Sequence, residues 1–211
     1  MKVELHLHTS RYSGCAVNSP SELMAGLVSA GYEAVFVTEH DAVWPDDELA
    51  ELKAEFPRLA IFPGVELSLG AWDVFEHLLV LGTNDRRYLE LAGGPEPDVA
   101  AILDRARAAG HMTVLAHPFR WDGGAEMLRR HLRPDAIELC TCNHDPEQAA
   151  VSAATARGLN LPVVNAGDVH SLAMVGRFWI ETARPLTGPA DLREMILAGE
   201  YANCPDDSEP A

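Results

Sequence analysis

The sequence predicts an α/β protein, a closed or nearly closed (β/α)7 barrel built from seven strand–helix units. Apolar runs rich in β-branched residues alternate with segments of helical spacing about every 25 to 35 residues, as in repeated βα units. Histidines and acidic residues recur where these runs end. Only a closed or nearly closed sheet brings such ends together, since an open sheet spreads them along a line. For 211 residues, seven units fit better than eight.

The individual elements follow from the same patterns. Strand-like runs cover residues 34–37, 59–62, 113–115 and 161–164, and helical spacing covers residues 21–30, 46–56, 98–109, 124–132, 146–157 and 189–198. Helix starts are indicated by Ser19-Pro20, Asp145-Pro146 and Gly188-Pro189. Glycines stand just past the predicted helix ends, where left-handed backbone is easiest for them: Gly31, Gly110, Gly158 and Gly199.

The first motif of the chain is His6-Leu-His8, at the end of a predicted short strand that includes Val3 and Leu5. Alternate residues of a strand share a face, so both imidazoles project the same way, and neutral imidazole is the commonest metal ligand. Taken alone this pair is weak evidence. Further residues of ligand type recur near strand ends, namely His40, Glu66, His77, His117, Asp168 and His170. The recurrence predicts a metal site at the mouth of the barrel.

Composition predicts one compact domain over residues 1–202, followed by a disordered tail over residues 203–211. No apolar stretch approaches the span of a bilayer, and no signal peptide is evident. The four cysteines lack the spacing of a disulfide framework. We therefore expect a cytoplasmic protein without a membrane partner.

The formal charge of −16 limits the partners that the surface can attract. Long nucleic acids are not expected, because their binding rests on clustered Lys and Arg. A small anionic substrate remains compatible, since bound cations dominate the field inside a pocket. The sequence does not indicate an oligomeric state.

Taken in order, the motifs resemble those of the PHP (polymerase and histidinol phosphatase) superfamily. They are His6-Leu-His8-Thr, Thr38-Glu-His40-Asp, Pro63-Gly-Val-Glu66, His77, Ala116-His117-Pro and Gly167-Asp168-Val-His170. The resemblance runs from residue 3 to about residue 177, and it includes the spacing between motifs. It implies a distorted seven-stranded barrel that holds two or three divalent ions, zinc, manganese or iron, and hydrolyses phosphoesters.

The resemblance also implies a division of the ligands. The first metal would take His6, His8, Glu66 and Asp168; the second would share Glu66 and take His77 and His117; the third would take His40 and His170. A metal-bridging hydroxide would be the nucleophile. Glu66 and Asp168 would organise the reacting centre, and His170 or His40 would protonate the leaving group if not bound to metal.

One position departs from the family pattern. Many relatives have Asp or His a few residues after the second histidine, whereas this chain reads Arg11-Tyr-Ser-Gly-Cys15. Cys15 could ligate the third metal as a thiolate, which would favour zinc, or it could be a small residue that leaves the third site weak or empty.

Three arginines adjoin the ligand motifs and are predicted to bind the phosphate of a substrate: Arg11, Arg120 and Arg177. Other polar residues nearby leave two readings open. Glu39 and Asp41 could orient the His40 ring or belong to a solvated loop and helix cap. Glu138 could contact or support the metals, and Asn143 could line the mouth or cap a helix.

The leading hypothesis is a metal-dependent phosphoesterase acting on a small phosphorylated metabolite or a short nucleotide. A metal-dependent C–N hydrolase of the amidohydrolase kind is an alternative, because similar clusters on barrels support that chemistry. It would have less need of the arginines. A non-catalytic metal-binding PHP module is a third reading. Loss of several ligands would favour it, but the eight ligand-type positions are all present in this chain. The substrate, the choice between monoester and diester, and the native metal are not specified by the sequence.

Overall fold

The computed structural model describes residues 1–70, 76–121 and 125–205. Its strands are β1 (Lys2–Glu4), β2 (Ala34–Val37), β3 (Ala60–Leu69), β4 (Glu76–Leu81), β5 (Met112–Ala116), β6 (Ala136–Glu138), β7 (Val163–Val164), β8 (Trp179–Thr182) and β9 (Tyr201–Cys204). Its helices are α1 (Pro20–Ser29), α2 (Asp46–Glu55), α3 (Arg87–Ala92), α4 (Val99–Ala109), α5 (Glu126–Arg129), α6 (Pro146–Leu159) and α7 (Pro189–Ala198), with a 3₁₀ turn at Leu172–Met174. The predicted α/β class is confirmed.

The sheet is a nearly closed barrel. Its described strands follow the order β7-β6-β5-β4-β3-β2-β1-β8-β9. Beyond the ends of β1 and β7 the two chain segments meet, since His8 N donates to Val169 O at 2.9 Å and Val169 N donates to His6 O at 3.0 Å. This pairing closes the barrel at the mouth, where ligand-type residues from both segments lie.

The barrel is distorted because its strands are not all parallel. Strand β4 runs antiparallel to β3 and β5, and β8 runs antiparallel to β1 and β9. The reversed direction of β4 places its first residues, including His77, at the mouth formed by the carboxyl ends of the parallel strands. Glu66 does not follow a strand end either. It lies within the long β3, whose first half pairs with β2 and whose second half pairs with β4.

Most predicted helices are confirmed with boundaries shifted by one or two residues. Ser19 with Glu22 and Asp145 with Gln148 form capping boxes at the starts of α1 and α6, each followed by proline at the first helical position. Each of these pairs satisfies backbone N–H groups that a helix start otherwise leaves free.

Two helical predictions need correction. Gly158 is not a cap but lies inside α6, which ends one residue later with Asn160 in the left-handed conformation. The helix predicted over residues 124–132 is reduced to the short α5, and residue 124 lies outside the described residues. Helix α3 was not predicted, because its six residues are too short to establish a helical period.

The barrel interior is an apolar core that supports the mouth from below. Val3, Phe36, Leu79 and Val114, from four different strands, belong to one buried cluster, and Leu192 of α7 packs against them. Burying a side chain of this size stabilises the fold by roughly 1.5–3 kcal/mol. The strands that carry the ligands are therefore held on a rigid base.

The end of β1 is irregular in a way that positions its two histidines. Leu5 packs in the interior with Val3, whereas Leu7 packs in a separate cluster with residues of α1 and α2, so the alternation of faces shifts by one residue between them. Glu4 Oε1 accepts the N–H groups of Leu5 at 3.0 Å and His6 at 3.1 Å. The buried Glu4 carboxylate thus stabilises the backbone that turns His6 towards the mouth.

The same oxygen joins the two segments that close the barrel, since Gly167 N donates to Glu4 Oε1 at 2.7 Å. A Cβ atom at position 167 would lie 2.5 Å from Glu4 Oε2 and 2.5 Å from Val169 Cγ2. Glycine is therefore required here by close approach.

We predict that Gly167→Ala destabilises the protein by about 1–3 kcal/mol, the usual cost of overpacking a closed site. Gly158→Ala is the matched control, because nothing lies within 4 Å of a Cβ at that helical position. This control should stabilise by about 0.5–1 kcal/mol. Urea unfolding measures both changes, and an alanine at position 167 that is as stable as the unmodified chain would contradict the role of this glycine.

The carboxyl-terminal segment differs from the prediction at its start. Asn203 and Cys204, predicted to belong to a disordered tail, are part of β9, and the Asn203 side chain accepts Asn165 N–H at 2.7 Å. Residues 206–211 lie outside the described residues. Within the described part of the chain, no helix combines the length and the apolar character needed to cross a membrane.

Candidate metal centre

Eight of the predicted ligand residues meet at the mouth of the barrel. They are His6 and His8 after β1, His40 after β2, Glu66 in β3, His77 at the start of β4, His117 after β5, and Asp168 and His170 after β7. Six of the eight are buried, with His40 and His170 partly exposed. Residues distant in sequence therefore form one compact cluster.

Glu66 lies at the centre of this cluster and is fully buried. Its Oε1 is 2.7 Å from His77 Nδ1 and 3.0 Å from His117 Nε2. Strand β4 supplies the first of these rings, and the residue that directly follows β5 supplies the second. One carboxylate oxygen thus faces two histidines, from β4 and from the end of β5.

The second oxygen of Glu66 faces three other histidines. Oε2 lies 3.2 Å from His6 Nε2, 3.1 Å from His8 Nε2 and 2.9 Å from His40 Nδ1. Even so, it accepts no hydrogen bond from the described residues. A buried oxygen approached by ring nitrogens that do not bond to it is the arrangement expected of atoms that share a cation.

Asp168 completes the side of the cluster formed by the first two histidines. Its Oδ1 is 3.4 Å from both His6 Nε2 and His8 Nε2, and it accepts no hydrogen bond from the described part of the chain. Asn143 Nδ2 donates to the other oxygen, Oδ2, at 2.6 Å. Asn143 therefore lines the mouth and leaves Oδ1 available to a metal.

The backbone at Asp168 has a φ of +47°, and that at His117 has a φ of +25°. Both values are unfavourable for residues with a side chain, and such strain is concentrated at functional sites. The surrounding barrel maintains both residues in a conformation that a free chain would avoid.

The Nε2 atoms of His6 and His8 lie 2.9 Å apart. The other ring nitrogen of His6, Nδ1, donates to Glu138 Oε1 at 2.8 Å, so the hydrogen of a neutral ring lies there. Glu138 Oε2 also accepts His117 N–H at 2.6 Å. Glu138 is thus a support that fixes two ligand residues, and it leaves the Nε2 lone pair of His6 facing the centre.

The electrostatics of the cluster favour positive charge. Burial lowers the pKa of His6, but the charges of Asp168, Glu66 and Glu138 outweigh it and raise that pKa well above its ordinary value. Burial raises the pKa of Glu66, but the neighbouring histidines hold it well below its usual range. Asp168 behaves in the same way, with His6, His8 and His117 lowering its pKa against burial. Ionised carboxylates here offer a site for a cation.

The donor set fits divalent metals. Imidazole nitrogens and carboxylate oxygens suit zinc, manganese and iron. Four groups have ligand atoms within 4.8 Å of one another: His6, His8 and Asp168; His6, Glu66 and His117; His40, Glu66 and His77; and His8, His40 and His170. These groups agree with a shared Glu66. His40 belongs to two of them, so it lies between the predicted second and third metals.

Cys15 is in none of these four groups, which were drawn from the described residues alone. The residue as a whole is exposed, although its thiol is partly desolvated. Burial of the thiol and the charges of Glu66 and Asp168 raise its pKa, which disfavours the thiolate that binds metal. Ligation by Cys15 remains a prediction from its position in the sequence.

The three predicted arginines lie in different environments. Arg120 is at the cluster, with NH1 3.8 Å from Asp168 Oδ2. Arg11 pairs instead with Glu48 of α2, at 2.9 Å from NH2 to Oε2. Arg177 is exposed. Burial raises the pKa of the Cys142 thiol, and the charge of Arg177 lowers it. Of these three, Arg120 is the one that the structure places beside a predicted ligand.

Two residues of the site were missed in the sequence. Trp121 follows Arg120, and its ring centroid lies 5.1 Å from that of His77 and 5.3 Å from that of His117, so it forms a wall of the mouth. Ser13 lies between His8 and His40. A single tryptophan or serine has no periodic pattern. Closeness in sequence to a ligand motif was therefore the one signal that could have identified these two residues.

Glu39 and Asp41 have roles other than orienting the His40 ring. The buried Glu39 carboxylate accepts hydrogen bonds from Thr9, Ser13 and Trp44. Asp41 Oδ1 accepts Ser68 N–H at 2.9 Å. Both acidic residues therefore support loops around the mouth.

Comparisons with known proteins agree with this geometry. The family described as PHP-associated matches residues 147–201. The chain is 32% identical to error-prone DNA polymerases of Mycobacterium bovis and Mycobacterium tuberculosis, over an alignment of 132 residues that covers 53% of this chain. The match is 12% of each polymerase, so the chain corresponds to a small part of these relatives.

Two solved structures share the fold. One is a two-domain protein of Bacteroides vulgatus containing a predicted PHP-like metal-dependent phosphoesterase, with a TM-score of 0.71 and 16% identity over 96% of this chain and 64% of that one. The other is an amidohydrolase of Chromobacterium violaceum with bound sulfate and no metal, with a TM-score of 0.66 and 18% identity over 99% of this chain and 100% of that one. The PHP-associated match over residues 147–201 is consistent with the resemblance of the motifs, and the two structures show the shared fold alone.

Proposed function

We propose that this chain is a metal-dependent phosphoesterase that hydrolyses a small phosphorylated metabolite or a short nucleotide. The observation that carries the proposal is Glu66, a buried carboxylate whose two oxygens face five histidine rings, with Asp168 Oδ1 3.4 Å from two of the same rings, His6 and His8. When bound, divalent ions would activate water for attack at phosphorus and offset the charge of the phosphoryl oxygens. The description of the Bacteroides vulgatus relative supports the same chemistry.

The protein residues have distinct roles in this proposal. His6, His8, Glu66, His77, His117 and Asp168 hold the ions, and Arg120 binds non-bridging phosphate oxygens. His40 and His170 have side chains that are 30% and 18% exposed, whereas the other histidines of the cluster are at most 7% exposed. If no third metal binds them, these two rings are therefore the ones that can reach the leaving group of a substrate and protonate it.

The test is to load metal-free protein with Zn²⁺, Mn²⁺ or Fe²⁺ and to assay phosphomonoesters, phosphodiesters and short oligonucleotides beside amides. Release of phosphate or an alcohol from at least one ester supports the proposal. Turnover of amides alone would instead support a C–N hydrolase, the second candidate, which the amidohydrolase relative favours. A protein that binds metal but turns over neither class would be a non-catalytic module.

We predict that Arg120→Ala raises KM for a phosphomonoester by about 10-fold or more, because a hydrogen bond to a charged group contributes about 1.5–3 kcal/mol. Arg11→Ala is the matched control, since its guanidinium is engaged by Glu48. Steady-state kinetics with p-nitrophenyl phosphate compare the two variants. Equal KM values for Arg120→Ala and the unmodified enzyme would refute the phosphate-binding role.

A further inference from the structure

Ser13 is a buried hydroxyl that lies between two ligand-bearing segments. It is 2% exposed. Its Oγ is 3.3 Å from His8 Nδ1, 3.1 Å from the backbone N of His40 and 2.6 Å from Glu39 Oε2. One hydroxyl thus contacts a metal-ligand ring, the backbone of another ligand and a buried carboxylate.

Glu39 determines the direction of these hydrogen bonds. Besides Ser13, it accepts Thr9 N–H at 3.0 Å, the Thr9 hydroxyl at 2.5 Å and Trp44 Nε1–H at 3.1 Å. Backbone and indole N–H groups are donors only, and an ionised carboxylate is an acceptor only. The short contact to Ser13 is therefore a hydrogen bond from the serine hydroxyl to Glu39.

The remaining contacts of Ser13 must then be accepted by its oxygen, because a hydroxyl has a single hydrogen. The His40 N–H group donates to one lone pair. The other lone pair faces His8, so His8 Nδ1 carries the hydrogen and donates it to Ser13. The lone pair of His8 is left on Nε2, which faces Glu66 Oε2 at 3.1 Å and Asp168 Oδ1 at 3.4 Å.

We propose that Ser13 is a positioning residue that, held by Glu39, sets the tautomer of His8 and presents its Nε2 to a metal ion. This inference rests on the proposed function, since it is the metal that takes the lone pair. His6 reaches the same state by a direct contact with Glu138. The two histidines of the first motif are therefore oriented in different ways. Glu138 orients His6 directly, whereas His8 is oriented by a serine–carboxylate relay in which Glu39 holds Ser13.

The test compares Ser13→Ala with Ser13→Thr, which keeps the hydroxyl, and with Ser152→Ala. Ser152 is a matched control, because it is also buried and its Oγ donates to Gln148 O at 2.9 Å on α6. Zn²⁺ affinity is measured by competition with a chromophoric chelator. The His8 tautomer is read in the metal-free protein at alkaline pH, where the ring carries one hydrogen, from long-range ¹H–¹⁵N correlations of the ring nitrogens, and thermal unfolding of the metal-free forms verifies folding.

Ser13→Ala is expected to weaken Zn²⁺ binding by about 10- to 100-fold, the range found when an outer partner of a ligand is removed. The proposal also expects loss of the single tautomer with hydrogen on Nδ1 of His8, recovery of both properties in Ser13→Thr, and no change in Ser152→Ala.

Unchanged zinc affinity and an unchanged His8 tautomer in a folded Ser13→Ala protein would overturn the relay while leaving the proposed function intact. Equal losses in Ser13→Ala and Ser152→Ala would also overturn it, since they would indicate general destabilisation. Failure of the unmodified protein to bind Zn²⁺ would overturn the proposed function and this inference with it.

Discussion

Glu66→Gln is expected to abolish the proposed phosphoesterase activity, with a loss in kcat on the order of 10⁴-fold, the scale seen when a member of a catalytic unit is removed. The substitution preserves size but replaces one carboxylate oxygen with an NH₂ group, which is a donor and has no charge. Because each of the two oxygens of Glu66 faces histidine nitrogens, either orientation of the amide would remove a metal contact. Bound metal should fall in parallel with activity.

Glu76→Gln is the matched control for this experiment. Glu76 is also a buried acid near the start of β4, but its oxygens accept Met127 N–H of α5, and it belongs to none of the ligand groups found in the described chain. The control should retain metal and activity, as measured by elemental analysis and ester hydrolysis. Full activity in a folded Glu66→Gln protein would contradict the central role of Glu66.

Divalent metal is expected to stabilise the fold substantially. At a free concentration about 1,000 times Kd, a ligand that binds only the folded state contributes about 4.1 kcal/mol. For a chain of this size each kcal/mol raises Tm by about 2–4 °C, so the melting temperature should increase by about 8 to 16 °C. The physical reason is that Glu66 Oε2 and Asp168 Oδ1 are buried and accept no hydrogen bond among the described residues. A bound cation would compensate for these missing contacts in the folded state.

Calorimetry of chelator-treated protein with and without added Zn²⁺, Mn²⁺ or Fe²⁺ measures this shift. The shift should reverse with excess chelator and should be much smaller in Glu66→Gln. Identical melting temperatures for the metal-free and metal-supplied forms, with all three ions, would mean that the cluster does not bind metal in the folded state.

Much of the site could be predicted from the sequence because ligand residues occur in short motifs. His6 and His8, His40, His117, and Asp168 with His170 each adjoin an apolar run, and the structure brings them together. The barrel class could be predicted for the same reason, since converging ligands require converging strand ends. Capping signals such as Ser19-Pro20 depend on local contacts alone and were equally informative.

Features set by tertiary pairing could not be predicted. An apolar run does not reveal strand direction, so the antiparallel β4 and the position of Glu66 within β3 became evident only from the sheet. The left-handed backbone at Asp168 is likewise imposed by the surrounding barrel. Ser13 and Trp121 act through contacts with residues of other segments, and neither has a pattern of its own.

The most direct test of the metal centre is anomalous diffraction from crystals of the zinc-loaded protein. The account predicts at least two ions at the mouth, one near His6, His8 and Asp168 and another near His117, with Glu66 between them. Zinc bound elsewhere on the surface, with no anomalous signal within the cluster, would contradict it.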